Sequence, residues 1–159
     1  MYQIRQAQES DLEQILEIYE IARKFMAHTG NPTQWGTQYP PREMLESDIQ
    51  RGDLYVVESN GIHGVFAYFT DPDPTYAYIE DGHWLDESPY GTIHRVAGDG
   101  SGGIFSAVLA YAAGRNPHVR IDTHADNKVM QHVLSRHGFQ RTGIIYLEDG
   151  DPRIAYERI

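Results

Sequence analysis

The sequence predicts a mixed α/β fold: one central, mostly antiparallel sheet that carries a parallel pair, with helices on both faces. Three observations predict it. Alternating apolar runs join as hairpins at Asn60-Gly61 and around Asp149 and Gly150. Two further runs, "TIHRVA" and "VRIDT", are separated by a stretch with helical character. Strands linked through a helix run parallel. Helical periodicity occurs both before the first hairpin and between the later strands.

Each element follows in turn. "MYQIRQA" alternates well enough for a first strand. Ser10 with Glu13 three residues on forms a capping-box pattern, and Leu12, Ile15, Leu16, Tyr19, Ala22 and Met26 recur at helical spacing. A helix is therefore expected over 10–26. "HTGNPTQWGTQYPP" breaks it, and "REMLESDIQRG" gives a shorter helix ended by Gly52. "DLYVVESNGIHGVFAYF" is a hairpin, and "TYAYIE" and "GTIHRVA" are strand candidates on either side of the loop "DGHWLDESPY". "GIFSAVLAYAAG" is a helix closed by Gly114, followed by the strand "HVRIDTHA". "DNKVMQHVLSRHG" is a helix with Asp126 as N-cap and Gly138 just past its end. "RTGIIYLEDGDPRIAYERI" closes the chain as a hairpin.

A length of 159 residues fits one domain, 1–159. No run approaches the length of a membrane span, and no basic region followed by an apolar stretch opens the chain, so a cytoplasmic protein away from membranes is expected. The sequence has no cysteine, which removes disulfides, thiolate zinc sites and a cysteine nucleophile. A net charge of -10 repels phosphate backbones and argues against nucleic acid. Such a surface attracts a cationic substrate such as an amine, although solubility is the plainer reading of the charge.

Four of the six residues from Gly98 to Gly103 are glycine, directly before a helix. Glycine there lets backbone approach a ligand, most simply an anion at a helix N-terminus. A P-loop needs Gly-Lys-Ser/Thr, and no lysine is near. Gly98, Gly100 and Gly103 fit the bare G-x-G-x-x-G spacing, but the run follows antiparallel hairpins and lacks a second mononucleotide half. A flexible turn is the plain structural reading.

The C-terminal half supplies a third reading. Asn127 is followed after eleven residues by Gly138 and then Phe139 in "DNKVMQHVLSRHGF". With "VRIDTHADN" before it and the glycine-rich turn upstream, the chain resembles the GNAT N-acetyltransferase superfamily, over nearly its full length in element order. "IHRVAGDGSGGIF", "RIDTHADN" and "GIIYLEDGDPRIAY" together are similar to one bacterial subgroup of it. The resemblance implies an acyl-CoA N-acyltransferase fold in which the parallel strands splay apart, with acetyl-CoA as co-substrate. The pyrophosphate would lie on amides around Ser101, Gly102, Gly103 and Ile104, and the pantetheine arm would run beside "HRVAG", including Val96 and Gly98. Asn127 would hold the arm, or serve only as a helix-start residue. A homodimer follows by analogy, because closing hairpins in this superfamily often pack across a two-fold. Two departures stand out. The superfamily's usual loop, Q/R-x-x-G-x-G/A, here has no basic residue and ends in Phe105. The tyrosine that many members carry seven residues after the asparagine, as acid for the thiolate, is Leu134 here.

Amine acetylation by direct attack needs a base, oxyanion donors and an acid for the thiolate. The base candidates are Glu80, Asp81, His94 and His124, each histidine being equally readable as structural. Arg95 reads best as a structural ion pair. Trp35, Tyr39, Trp84 and Tyr90 lie in loops and either line a substrate pocket or plug the sheet ends. No H-x₃-H or H-E-x-x-H spacing occurs, and His132 and His137 are five apart, so no metal is expected. The reading is an enzyme that acetylates a small-molecule primary amine. The alternative is a non-catalytic CoA-binding or sensory module, favoured by Leu134 and Phe105. A nucleotide-binding protein is a distant third.

Overall fold

The computed structural model describes residues 1–159. Seven strands form one sheet: β1 (Gln3–Gln6), β2 (Leu54–Glu58), β3 (Ile62–Phe69), β4 (Gly91–Gly98), β5 (Val119–Thr123), β6 (Gln140–Tyr146) and β7 (Pro152–Arg158). Their order across the sheet is β1-β2-β3-β4-β5-β7-β6. Every neighbouring pair is antiparallel except β4 and β5. Those two pair only at Gly91↔Val119 and Thr92↔Arg120, so from Ile93 onward the strands part. The expected parallel pair and its splay are both present.

The helices are α1 (Leu12–His28), α2 (Arg42–Arg51), α3 (Ile104–Arg115) and α4 (Lys128–Arg136). Alternation along the strands assigns the two faces. Val57, Phe66, Tyr68, Ile93 and Ile121 pack with Ile104 and Val108 of α3 and Leu134 of α4. Val56, Val65, Ala67 and Ala97 point the other way, onto Ile15 and Tyr19 of α1 and Leu45 of α2. The second face of β6 and β7 is covered by a loop, not a helix: Tyr76 and Trp84 bury Ile145 and Ala155.

Four local expectations need correction. The capping box is Gln8 with Asp11, not Ser10 with Glu13, because a 3₁₀ turn at Glu9–Asp11 precedes the helix. Arg5 holds that Asp11 carboxylate through two nitrogens, at 2.8 and 3.0 Å. "TYAYIE" is not a strand. Pro74 opens a 3₁₀ turn, Pro74–Tyr76, and only Glu80 makes a bridge, to Ile144. The N-cap of α4 is Asn127, whose side chain accepts from the Met130 amide at 3.0 Å, and not Asp126. Finally, α3 runs one residue past Gly114, to Arg115.

Candidate active site

The loop between β4 and α3 leaves a row of free backbone donors. Gly103 takes φ 80, in the left-handed region, and this turns the chain into α3 without a side-chain cap. The amides of Gly100, Gly102, Gly103, Ile104, Phe105 and Ser106 donate to no protein acceptor; the first helical bond here is Ala107 N–H to the Gly103 carbonyl. Helix geometry leaves such groups unpaired, and the dipole favours an anion on them. Ser101 is different: its amide already donates to Asp99 Oδ1 at 2.9 Å. The Phe105 ring does not obstruct the loop. It packs on α4, edge-on to His137 at 5.2 Å and near Phe139 at 6.3 Å.

Beside this cradle, the β5-facing edge of β4 has no strand partner from Ile93 to Gly98. Val96 and Gly98 lie on that stretch. The register with β3 shifts between Val65↔Ala97 and Ala67↔His94, and Arg95 sits in the bulge at φ 54. The bulge is pinned from two sides. Tyr19 donates its hydroxyl to the Arg95 carbonyl at 2.7 Å, and the Arg95 guanidinium pairs with buried Asp48. Arg95 is thus the structural ion pair that was expected.

His94 lies on the same stretch, next to the bulge. Its Nε2 lies 2.8 Å from Asp73 Oδ2, and Nδ1 has no protein partner. Asp73 is itself fixed: Oδ1 accepts from the Thr75 amide and hydroxyl, and its own amide donates to the Tyr90 hydroxyl at 2.9 Å. Burial works against the Asp73 carboxylate, but the hydrogen bonds from His94 and Thr75 prevail and hold its pKa at about 2. With Asp73 ionised, Nε2 carries the hydrogen it donates, and in the neutral ring Nδ1 is the nitrogen that can accept a proton. The rings of Phe69 and Tyr76 flank the imidazole at 5.8 and 6.2 Å. Fully buried Tyr76 donates to Asp122 on β5 at 2.7 Å, and burial first, then Asp122, raises its pKa far above the ordinary phenol.

The other candidates are dispersed. His124 Nδ1 accepts from the Asp126 amide at 2.9 Å, so that nitrogen is used in the turn before α4. Glu80 accepts from the hydroxyls of Tyr78 and Tyr146, and no contact joins it or Asp81 to His94. Asn127 Nδ2 donates to Gln34 Oε1 at 3.1 Å, tying the start of α4 to the loop between α1 and α2. Trp35, in that same loop, lies edge-on to Tyr19 at 5.6 Å and near Tyr39 at 6.2 Å. Trp84 and Tyr90 lie together at one end of the sheet. They sandwich the Arg120 guanidinium at 4.0 and 4.1 Å, and they line a cleft of about 580 Å³ that also reaches Asp73. Leu134 is fully buried in the core. No group of three or more His, Cys, Asp or Glu side chains is placed to hold a metal ion.

Asp73 is the partner of His94 that sequence reasoning missed. It lies 21 positions from His94, in a "DPDP" run that reads only as a turn.

A splayed parallel pair beside a helix with unpaired amides defines the acyl-CoA N-acyltransferase class of fold. Solved structures agree. A GNAT-family acetyltransferase from Streptococcus agalactiae is 32% identical, with 99% of this chain and 95% of that chain covered and a TM-score of 0.87. A GNAT-family acetyltransferase from Listeria monocytogenes is 18% identical, covering 99% and 94%, with a TM-score of 0.70. A ribosomal-protein-alanine N-acetyltransferase from Brucella melitensis is 18% identical, covering 99% of each, with a TM-score of 0.62. No family sequence profile and no curated protein matches the chain. The chain belongs to the GNAT acetyltransferase family.

Proposed function

We propose that this protein transfers the acetyl group of acetyl-CoA to a primary amine of a small molecule. The observation that carries the reading is the continuity of three features. The free amides of Gly100 and of Gly102 to Ser106 lead to the unpaired edge of β4, and that edge leads to an imidazole with a free Nδ1. The donor set fits the ligand. Backbone N–H groups at a helix start suit a pyrophosphate, and an open strand edge suits the amides of a pantetheine arm.

His94 is the base in this reading. As the neutral amine attacks the thioester carbonyl, the C–N bond forms and charge develops on oxygen, where N–H groups of the β4 edge oppose it. His94 Nδ1 takes the proton from nitrogen. Asp73 holds the ring in the required tautomer and stabilises the imidazolium. When the C–S bond breaks, the imidazolium returns that proton to sulfur, since Leu134 offers none. Glu80 and His124 are engaged elsewhere, Glu80 by the hydroxyls of Tyr78 and Tyr146 and His124 in the turn before α4. Acidic groups suit an amine that is cationic in solution, and the aromatic side chains Trp35, Trp84 and Tyr90 offer apolar wall for its carbon skeleton. The chain's lack of any helix long and apolar enough to cross a membrane is compatible with work in the cytoplasm, and a homodimer fits the family analogy.

The test is thiol release from acetyl-CoA across small primary amines and peptide N-termini. Release with small amines that fails in His94→Gln supports the reading. Binding of acetyl-CoA without release for any acceptor would favour the sensory module.

A further inference from the structure

The glycine loop carries an acid where an anion is to bind. Asp99 lies between β4 and the free amide of Gly100, and its Oδ2 is 2.7 Å from Nδ1 of His63 on β3. The other ring nitrogen, Nε2, is 2.9 Å from the Ser59 carbonyl oxygen. A carboxylate and a carbonyl can only accept, and neutral histidine has a single N–H. Both contacts are hydrogen bonds only if the ring is an imidazolium. The hydrogen bond to Asp99, then that to Ser59, raises the His63 pKa above its ordinary 6.5. Asp99 is lowered: burial opposes this, and the hydrogen bonds from Ser101 and His63 outweigh it.

The surroundings leave this pair to itself. The Tyr2 ring lies 6.2 Å from His63, and the Tyr2 hydroxyl donates to the Gly102 carbonyl at 2.8 Å. Ser101 Oγ is 3.5 Å from Nδ1. Glu58, the nearest acid on β2, is taken by Arg5 at 3.0 Å. The loop is anchored to the same histidine by its backbone, since the Asp99 amide donates to the His63 carbonyl at 3.0 Å.

We propose that His63 is the counter-ion of the acetyl-CoA site: as an imidazolium it neutralises Asp99 beside the glycine-loop amides, so that acetyl-CoA binds tightly while His63 is protonated and weakly once it is not. The proposal rests on the reading of this loop as the pyrophosphate cradle. It also accounts for a loop without its own basic residue, because the positive charge comes from the neighbouring strand. The sign follows from the geometry. A histidine with a raised pKa keeps its charge at and above pH 6.5 and loses it as pH rises through the folded value. The unmasked Asp99 carboxylate then repels the ligand phosphates.

The experiment is calorimetric titration with acetyl-CoA between about pH 6 and about pH 9, where histidine changes charge. For the wild type, affinity should fall by roughly tenfold across that range, the scale of one close unscreened charge. Asp99→Asn should bind at high pH as tightly as the wild type does at low pH, and His63→Gln should bind weakly throughout. The ligand's own phosphate titration is common to all three proteins and cancels in the comparison. Pantetheine, which has no phosphate, should bind independently of pH. Ring proton resonances of His63 give a second measure: acetyl-CoA should raise its pKa, and Asp99→Asn should lower it, as linkage requires. Matching pH profiles for wild type and Asp99→Asn, or undiminished affinity in His63→Gln, would overturn the proposal. No acetyl-CoA binding at any pH would overturn the cradle reading and this proposal together.

Discussion

His94 owes its proposed role to one free nitrogen, and Asp73 to keeping it free. If Nδ1 takes the amine proton, His94→Gln should lower kcat by about 10²–10⁴-fold, the usual worth of a positioned base, with acetyl-CoA affinity unchanged. Stopped-flow thiol release and calorimetry on the same preparation check both halves. Asp73 also has a signature in stability. Its pKa of about 2 is depressed from an ordinary 3.8, so its contribution is complete above the higher value and is lost as pH falls toward the lower. Acid denaturation of Asp73→Asn should lack that component, and a wild-type-like acid profile would contradict the His94–Asp73 pairing. His94 was legible in the sequence as a histidine on a strand beside a glycine run. Asp73 was not, because a turn and the β3–β4 pairing bring it to His94, and neither leaves a pattern at that spacing. The Ser101 amide was expected in the cradle, yet Asp99, two residues before, takes it through a side-chain turn that competes locally with helix capping.

At the scale of elements, the unusual one is the loop 70–90, which does the work of a helix over β6 and β7. It is held to β6 by the Glu80↔Ile144 bridge, and that contact depends on Gly143. A Cβ at Gly143 would stand 2.5 Å from the Glu80 carbonyl oxygen, a backbone atom that cannot step aside. Gly143→Ala should therefore cost about 1–3 kcal/mol in urea unfolding, the range for overpacking, and should raise hydrogen exchange across 76–84. No change in either would mean that the loop is held elsewhere. This loop is also where sequence reading fell short. "TYAYIE" alternates like a strand, but Pro74 and the Asp73 side chain start a 3₁₀ turn, and β5 already has β7 as its neighbour. The hairpins, α2 with its closing Gly52, and the β4–β5 crossover were legible because turn chemistry and periodicity agree there. Ser10 and Glu13 had the right spacing for a cap but lost to Gln8 and Asp11, since Arg5 on β1 fixes Asp11 and no single-helix pattern shows a cross-strand partner.

At the scale of the whole molecule, charge is divided between a solvated acidic surface and a few buried pairs. Glu157, with no exposed surface, accepts from His118, from Arg120 at 3.0 Å and from the Leu85 amide, joining β5, β7 and the loop 70–90. Glu157→Ala would strand Arg120 without a counter-charge and should cost about 3–5 kcal/mol in denaturant unfolding. The net charge of -10 acts at longer range. It should draw amines that are cationic in solution, so kcat/KM for such an amine should fall several-fold between about 0.01 and about 0.15 M salt, as screening shortens the field. A flat salt profile would place recognition in the cleft alone. The account as a whole depends on one ligand lying on the free amides of Gly100 and of Gly102 to Ser106. The most direct measurement is calorimetric titration of the protein with acetyl-CoA and, separately, with ATP. The account predicts saturable acetyl-CoA binding that ATP does not match. Heat from ATP without heat from acetyl-CoA, or from neither, would contradict it.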